Sequence, residues 1–250
     1  PHAMAAELLS AAMACGHAEP WMFESLALAM EADGRPREDV DRVLLSTADI
    51  SSDTNDLFNL ADYFARFGSD RQAIRTCRKI IRLDPMNRAA FALAMTVAAR
   101  TDDTDTLAWA CPGVLANEWP ATDQEIVHRA GRLAKATIES LKASGKPDAA
   151  NALRAAVDSA LVRDLVIEVV WGGDADIDIM VEEPVGSVCS RSSPRSPSGG
   201  FLASDSAAIP HEKGLYLEKY VATFAFPGEY RVLIRRVTGS VAADTVTVTV

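Results

Sequence analysis

A fixed internal period limits the folds open to a chain more than any single motif, because a repeated unit dictates how its copies stack. Here the period is 34 residues: Gly34 in EADGRPREDV, Gly68 in ARFGSDRQAI and Asp102 in ARTDDTDTLA are evenly spaced, and each is a turn-type residue. Apolar positions coincide around these points. Phe23, Leu57 and Phe91 align, as do Leu26, Leu60 and Ala94, then Met30, Phe64 and Ala98. Val43, Cys77 and Cys111 align in the second half of each unit. Steps of three or four put these residues on one helical face, so each unit predicts helix, short turn, helix. A helix pair of this size cannot hide that face alone, so neighbouring units must stack.

The middle unit, LFNLADYFARFGSDRQAIRTCRKIIRLDPMN, resembles a tetratricopeptide repeat. Leu57, Leu60, Ala61, Phe64, Gly68, Ala73, Cys77, Ile80 and Pro85 occupy that family's large/small pattern. Ala61 and Ala73 let two helices approach closely, Gly68 permits the tight turn, and Pro85 ends the unit. The resemblance covers residues 19–120, with departures at Asp39 and Pro112. One period earlier, AMAAELLSAAMACG matches a second helix without its partner, so the chain is expected to be cut from a longer array. After Pro120, a long helix and the stop-turn-start signal SGKPD predict a capping pair out of register.

After Arg163 the period becomes alternating. DLVIEVVW, DIDIMVEE, YLEKYVATFAF, EYRVLIRRV and DTVTVTV are rich in β-branched and aromatic residues and separated by turn signals. Strands without intervening helices predict an antiparallel sandwich. The pieces DADIDIMVEEPVGSVCS, SGGFLASDS and GLYLEKYVATFAFPGEYRVLIRR resemble the C-terminal β-sandwich of bacterial YfaP-like proteins of unknown function. That resemblance implies a fold, a bacterial source and a place beside interaction modules. The expected class is therefore α + β multidomain: an α-solenoid of tetratricopeptide-like hairpins over 1–163, then an antiparallel Ig-like or jelly-roll-like β-sandwich over 164–250.

Charge narrows the partners. Arg and Lys number 18 against 23 Asp and Glu up to Arg163, and 7 against 12 beyond it, so each part carries a net charge of -5. Acidity on both parts argues against a nucleic-acid partner. No apolar run is long enough for a membrane span. Cys15, Cys77, Cys111 and Cys189 form no CxxC pair, which argues against zinc. The first three fall on apolar faces of expected helices, where a thiol acts as a small hydrophobe. Reduced thiols fit a cytoplasm.

Two sets of residues stand out. In WGGDADIDIMVEEP, Ile177, Ile179 and Val181 should face the core, with Asp176 and Asp178 on the opposite face and Asp174 in the turn. Two readings stand for these aspartates. One is a solvated strand edge whose charges discourage pairing. The other is a calcium site, completed by Asp205 or a carbonyl of the SGG loop, in a sandwich that binds calcium, a carbohydrate or both. The second set follows from the tetratricopeptide resemblance, which implies an inner surface carrying Glu24, Leu28, Phe58, Asn59, Asp62, Arg66 and Arg100. A groove so lined suits a helix or an extended peptide. Residues 186–200, rich in Ser and Pro, predict a mobile connection. No nucleophile elbow, phosphate loop or metal-spaced histidine pair occurs. The expected role is a non-enzymatic scaffold for a protein or peptide partner.

Overall fold

The computed structural model describes residues 1–204 and 214–250. Among them are nine α-helices: α1 (His2–Ala14), α2 (Pro20–Ala32), α3 (Arg37–Ile50), α4 (Thr54–Arg66), α5 (Asp70–Leu83), α6 (Arg88–Thr101), α7 (Thr104–Leu115), α8 (Gln124–Ala143) and α9 (Pro147–Ala160). Seven strands follow: β1 (Leu165–Gly172), β2 (Asp176–Glu182), β3 (Val188–Cys189), β4 (Gly200–Ser204), β5 (Leu215–Ala222), β6 (Arg231–Thr238) and β7 (Thr247–Thr249). Helix gives way to strand between α9 and β1, where the periodicity changes. Compactness divides the chain elsewhere, into Pro1–Cys111 and Pro112–Val250.

In the N-terminal unit the three turn residues of the repeat share one conformation. Gly34, Gly68 and Asp102 have φ of 74°, 78° and 52°. A left-handed residue with a Cβ costs about 1–2 kcal/mol, so glycine fills two of these sites and aspartate, the next most tolerant type, the third. The hairpins α2–α3 and α4–α5 flank the first two turns, and α6 and α7 flank the third. Asp53 caps α4 by accepting hydrogen bonds from the Asn55 and Asp56 amides at 2.7 and 3.3 Å. Consecutive helices pack on each other from α1 to α6. Leu57, Ala61, Phe64, Ala73, Cys77 and Ile80 are each at most 1% exposed, as the repeat pattern requires. Ala27, Val40, Leu44, Phe64, Ala73 and Val97 join in one apolar cluster. That cluster draws on α2 through α6, so each hairpin covers what its neighbour cannot. Cys15 departs from expectation: it follows the last residue of α1 and is exposed, because the helix ends before carrying it to the buried face.

In the C-terminal unit the strands form two antiparallel sheets, ordered β4-β5-β1-β7 and β3-β2-β6. Ile167, Val169, Trp171, Ile177, Ile179, Val181 and Tyr220 fill the core. The inward face of β2 is the one its alternation predicts. Strands β3 and β4 escape alternation, being two and five residues long. The helices of this unit join the sheets through the short segment after α7. The Arg163 guanidinium donates to the Glu118 carboxylate, and to the Leu115 carbonyl at 3.0 Å. Arg195 donates to the Glu118 carbonyl at 3.1 Å and the Thr223 hydroxyl to the Ala116 carbonyl at 3.1 Å.

Candidate functional site

Three helices of the N-terminal unit leave a groove of about 300 Å³ between them. Glu24, Ala27 and Leu28 come from α2, and Leu44 and Thr47 from α3. Asp56, Asn59, Leu60 and Tyr63 come from α4. These are the stripes that a helix presents every three or four residues. Ala27 and Leu44 are buried and make an apolar floor. Glu24, Asp56 and Asn59 are exposed at the rim, and none of their side chains makes an ion pair or accepts a hydrogen bond among the described residues. Leu28 is 64% exposed. Thr47 is 7% exposed, and its hydroxyl is buried without a hydrogen-bond partner among the described residues.

Tyr63 is held in place by α2 and α3. Its hydroxyl donates to the Glu31 carboxylate, which also accepts from Arg37 at 2.6 Å. The Arg37 guanidinium lies 4.8 Å from the Tyr63 ring centre and donates to Asp41 at 2.9 Å. Burial pushes the Tyr63 phenol up to about 12, and the hydrogen bond to Glu31 acts in the same direction. That side chain is part of the frame.

The residues expected on an inner surface therefore divide. Glu24, Leu28 and Asn59 converge on the groove. Phe58 is half-buried beside them and does not line it. Asp62 and Arg66 pair with each other at 2.6 Å along α4. Arg100 donates to the Asp70 carboxylate, and to the Ala65 carbonyl at 2.5 Å, fastening α6 to the end of α4 and the start of α5. Sequence reasoning did not place Ala27, Leu44, Thr47, Asp56, Leu60 or Tyr63 in the groove. The resemblance put first helices at the surface, whereas α3 is a second helix. Asp56 was legible from its spacing, three residues before Asn59 and four before Leu60.

The aspartates of the second unit differ in exposure: Asp174 is exposed in the turn, Asp176 half-buried and Asp178 buried. Strand β2 pairs with β6 along its length, whereas β3 reaches only Val181 and Glu182, so the aspartate end of β2 has one ladder partner. Asp178 is 8% exposed, accepting from Arg235 at 2.9 Å with Arg191 at 3.5 Å. Asp176 faces Arg191 at 3.8 Å. Long arginines, Arg235 from β6 and Arg191 from the loop after β3, cover what alternation alone would leave to water. Asp174 accepts from the Ser240 amide at 2.8 Å. Asp205 lies outside the described residues, among which no group of three or more His, Cys, Asp or Glu is placed to hold a metal ion.

A buried carboxylate nearby went unread. Glu183 is 3% exposed and accepts from Tyr220 at 2.7 Å, Ser196 at 2.6 Å and Ser187 at 2.6 Å. Ser198 contacts both serines, at 2.6 and 3.2 Å. A Cβ at Gly200 would run into Glu183 and Tyr220. Burial, then the hydrogen bond to Glu183, pushes the Tyr220 phenol far above its ordinary range. The stretch expected to be a mobile connection is thus tied down, because its serines supply the donors a buried carboxylate needs. Cys189 also donates to the Pro194 carbonyl at 3.1 Å, and burial pushes its thiol up to about 11.

No family model matches the chain, and no curated protein matches it.

Proposed function

We propose that this chain is a non-enzymatic protein-interaction scaffold whose N-terminal helical hairpins offer the α2–α3–α4 groove to a protein or peptide partner. One observation carries the reading. The groove combines an apolar floor, the exposed Leu28 and polar rim groups that the fold leaves unused. The other charges expected at a site are paired within the fold: Asp62 with Arg66, Arg100 with Asp70, Asp178 with Arg235. Contact sites concentrate binding in a few anchoring side chains around a desolvated centre, and a floor of Ala27, Leu44 and Leu60 is built for such an anchor.

Site-specific crosslinking in cells tests this. A photoreactive phenylalanine analogue replaces Leu28, and in a control chain replaces the exposed Arg71. The expected result is a discrete protein adduct at position 28 that is missing at position 71 and lost on adding Asn59→Arg. Equal or absent adducts at both positions overturn the reading.

A further inference from the structure

We infer that the occupant of this groove is a peptide segment that sets a lysine or arginine beside a bulky aliphatic residue. The inference rests on the scaffold reading and adds the chemistry of the partner. Glu24 on α2 and Asp56 on α4 both line the groove, and no basic side chain does. Helix α2 contains no Lys or Arg, and the first Lys or Arg of the chain is Arg35. Helix α4 has one, Arg66, which Asp62 holds. A cation seated at this rim meets two carboxylates and no competitor. An acidic segment, or a chain-terminal carboxylate, meets repulsion from both walls.

The exposed stripe of α2 completes the match. Trp21, Glu24 and Leu28 are spaced by three and four, so they share one face. Trp21 is 60% exposed and Leu28 64%. An indole ring one turn from Glu24 offers a face on which an arginine or lysine stem can lie. The groove, about 300 Å³ in volume, suits a side chain rather than a folded surface. Burial of an aliphatic group there supplies affinity, and the rim charges supply selectivity.

A random 12-residue peptide library displayed on phage, selected on the immobilised full chain, tests this. The expected result is enrichment of Lys or Arg next to Leu, Ile, Met or Phe. A synthetic copy of the leading peptide should bind the Glu24→Gln/Asp56→Asn chain about ten-fold more weakly, and weaken on raising salt. Both residues are exposed, so the double variant should keep the parent's circular dichroism. Enriched peptides without basic residues that still lose binding on Asn59→Arg would sink the charge inference and leave the scaffold reading standing. Failure to enrich any groove-dependent peptide would overturn both.

Discussion

The two compact units solve the problem of burial in different ways. In the N-terminal unit the turns and the core positions recur. A left-handed turn recurs every 34 residues at Gly34, Gly68 and Asp102, and small residues such as Ala61 and Ala73 reach full burial beside it. In the C-terminal unit the decisive contact occurs once. Glu183 collects hydroxyls from Ser187, Ser196 and Tyr220, which lie 4, 13 and 37 residues away. Repetition spreads stability over many small, similar terms. A single buried carboxylate concentrates it in one place.

The largest expected effect follows from that concentration. Glu183→Ala leaves the buried Tyr220 hydroxyl without its acceptor, takes one from Ser187 and Ser196, and should cost the C-terminal unit about 3 kcal/mol. Gly200→Ala, which drives a methyl group into the same carboxylate and phenol, should be of the same order. Thiol labelling read residue by residue by mass spectrometry checks both. Cys189 is buried in one unit and Cys77 in the other, so each reports its own unfolding. Cys189 should become reactive while Cys77 stays protected. Equal loss of protection at both would show that the units do not unfold separately and would break the comparison.

Alkaline pH sharpens it. The folded-state pKa of Tyr220 is raised, so the phenol is held protonated by the fold. Its contribution is complete below the unfolded tyrosine value of about 10 and is lost as pH rises through the folded value. The physical cause is burial and then the facing Glu183 carboxylate, which a phenolate would repel. Denaturant titrations at pH 8 and pH 11 should therefore show the C-terminal unit losing stability. Tyr220→Phe should be weaker at pH 8 and should narrow that gap at pH 11. An unchanged gap would mean that this phenol does not govern the alkaline response.

These contrasts explain what the sequence could and could not reveal. Periodic features were legible, because each is local. The repeat predicts the turns and the buried faces of α2 through α6, and alternation predicts the inward face of β2. Glu183 was not legible, since its partners come from a serine-rich stretch and a distant strand, and only the closed sandwich assembles them. The same holds for Asp178, whose burial depends on Arg235 across the ladder and Arg191 from a loop. The groove falls between these cases. Glu24, Leu28 and Asn59 follow from the repeat resemblance, whereas Leu44 and Thr47 enter only when α3 closes beside α2 and α4.

The link between helices and sheets inside the C-terminal unit gives the next effect in size. The Arg163 side chain is 17% exposed and ties Glu118 and the Leu115 carbonyl to the end of α9. Arg163→Ala should cost about 2 kcal/mol, since it takes a donor from the Glu118 carboxylate and from the Leu115, Ala160 and Val162 carbonyls. The loss should again appear at Cys189. If the unit unfolds in two steps in the variant, the strap is the joint between its helices and strands.

Within the repeat, paired substitutions at equivalent turns should move in opposite directions. Gly68→Ala places a Cβ in a left-handed conformation at a cost of about 1–2 kcal/mol. Asp102→Gly relieves that strain and should stabilise the N-terminal unit by a few tenths up to about 1 kcal/mol. Denaturant midpoints of the two variants decide it. Shifts of the same sign would mean that the turns are not equivalent.

The smallest effect separates stability from binding in the groove. The Thr47 hydroxyl is buried with no partner among the described residues, and an unsatisfied hydroxyl carries its desolvation cost into the folded state. Thr47→Val keeps the branched shape and removes that cost, so the N-terminal unit should gain about 1 kcal/mol. The oxygen has almost no accessible surface, so an occupant of the groove cannot reach it without moving α3. Affinity for a groove-selected peptide should therefore stay within about two-fold of the parent. A stabilised variant with unchanged affinity places recognition on the rim at Glu24, Asp56 and Asn59. Loss of affinity would instead show that the helices part on binding, and that the floor takes part in recognition alongside the rim.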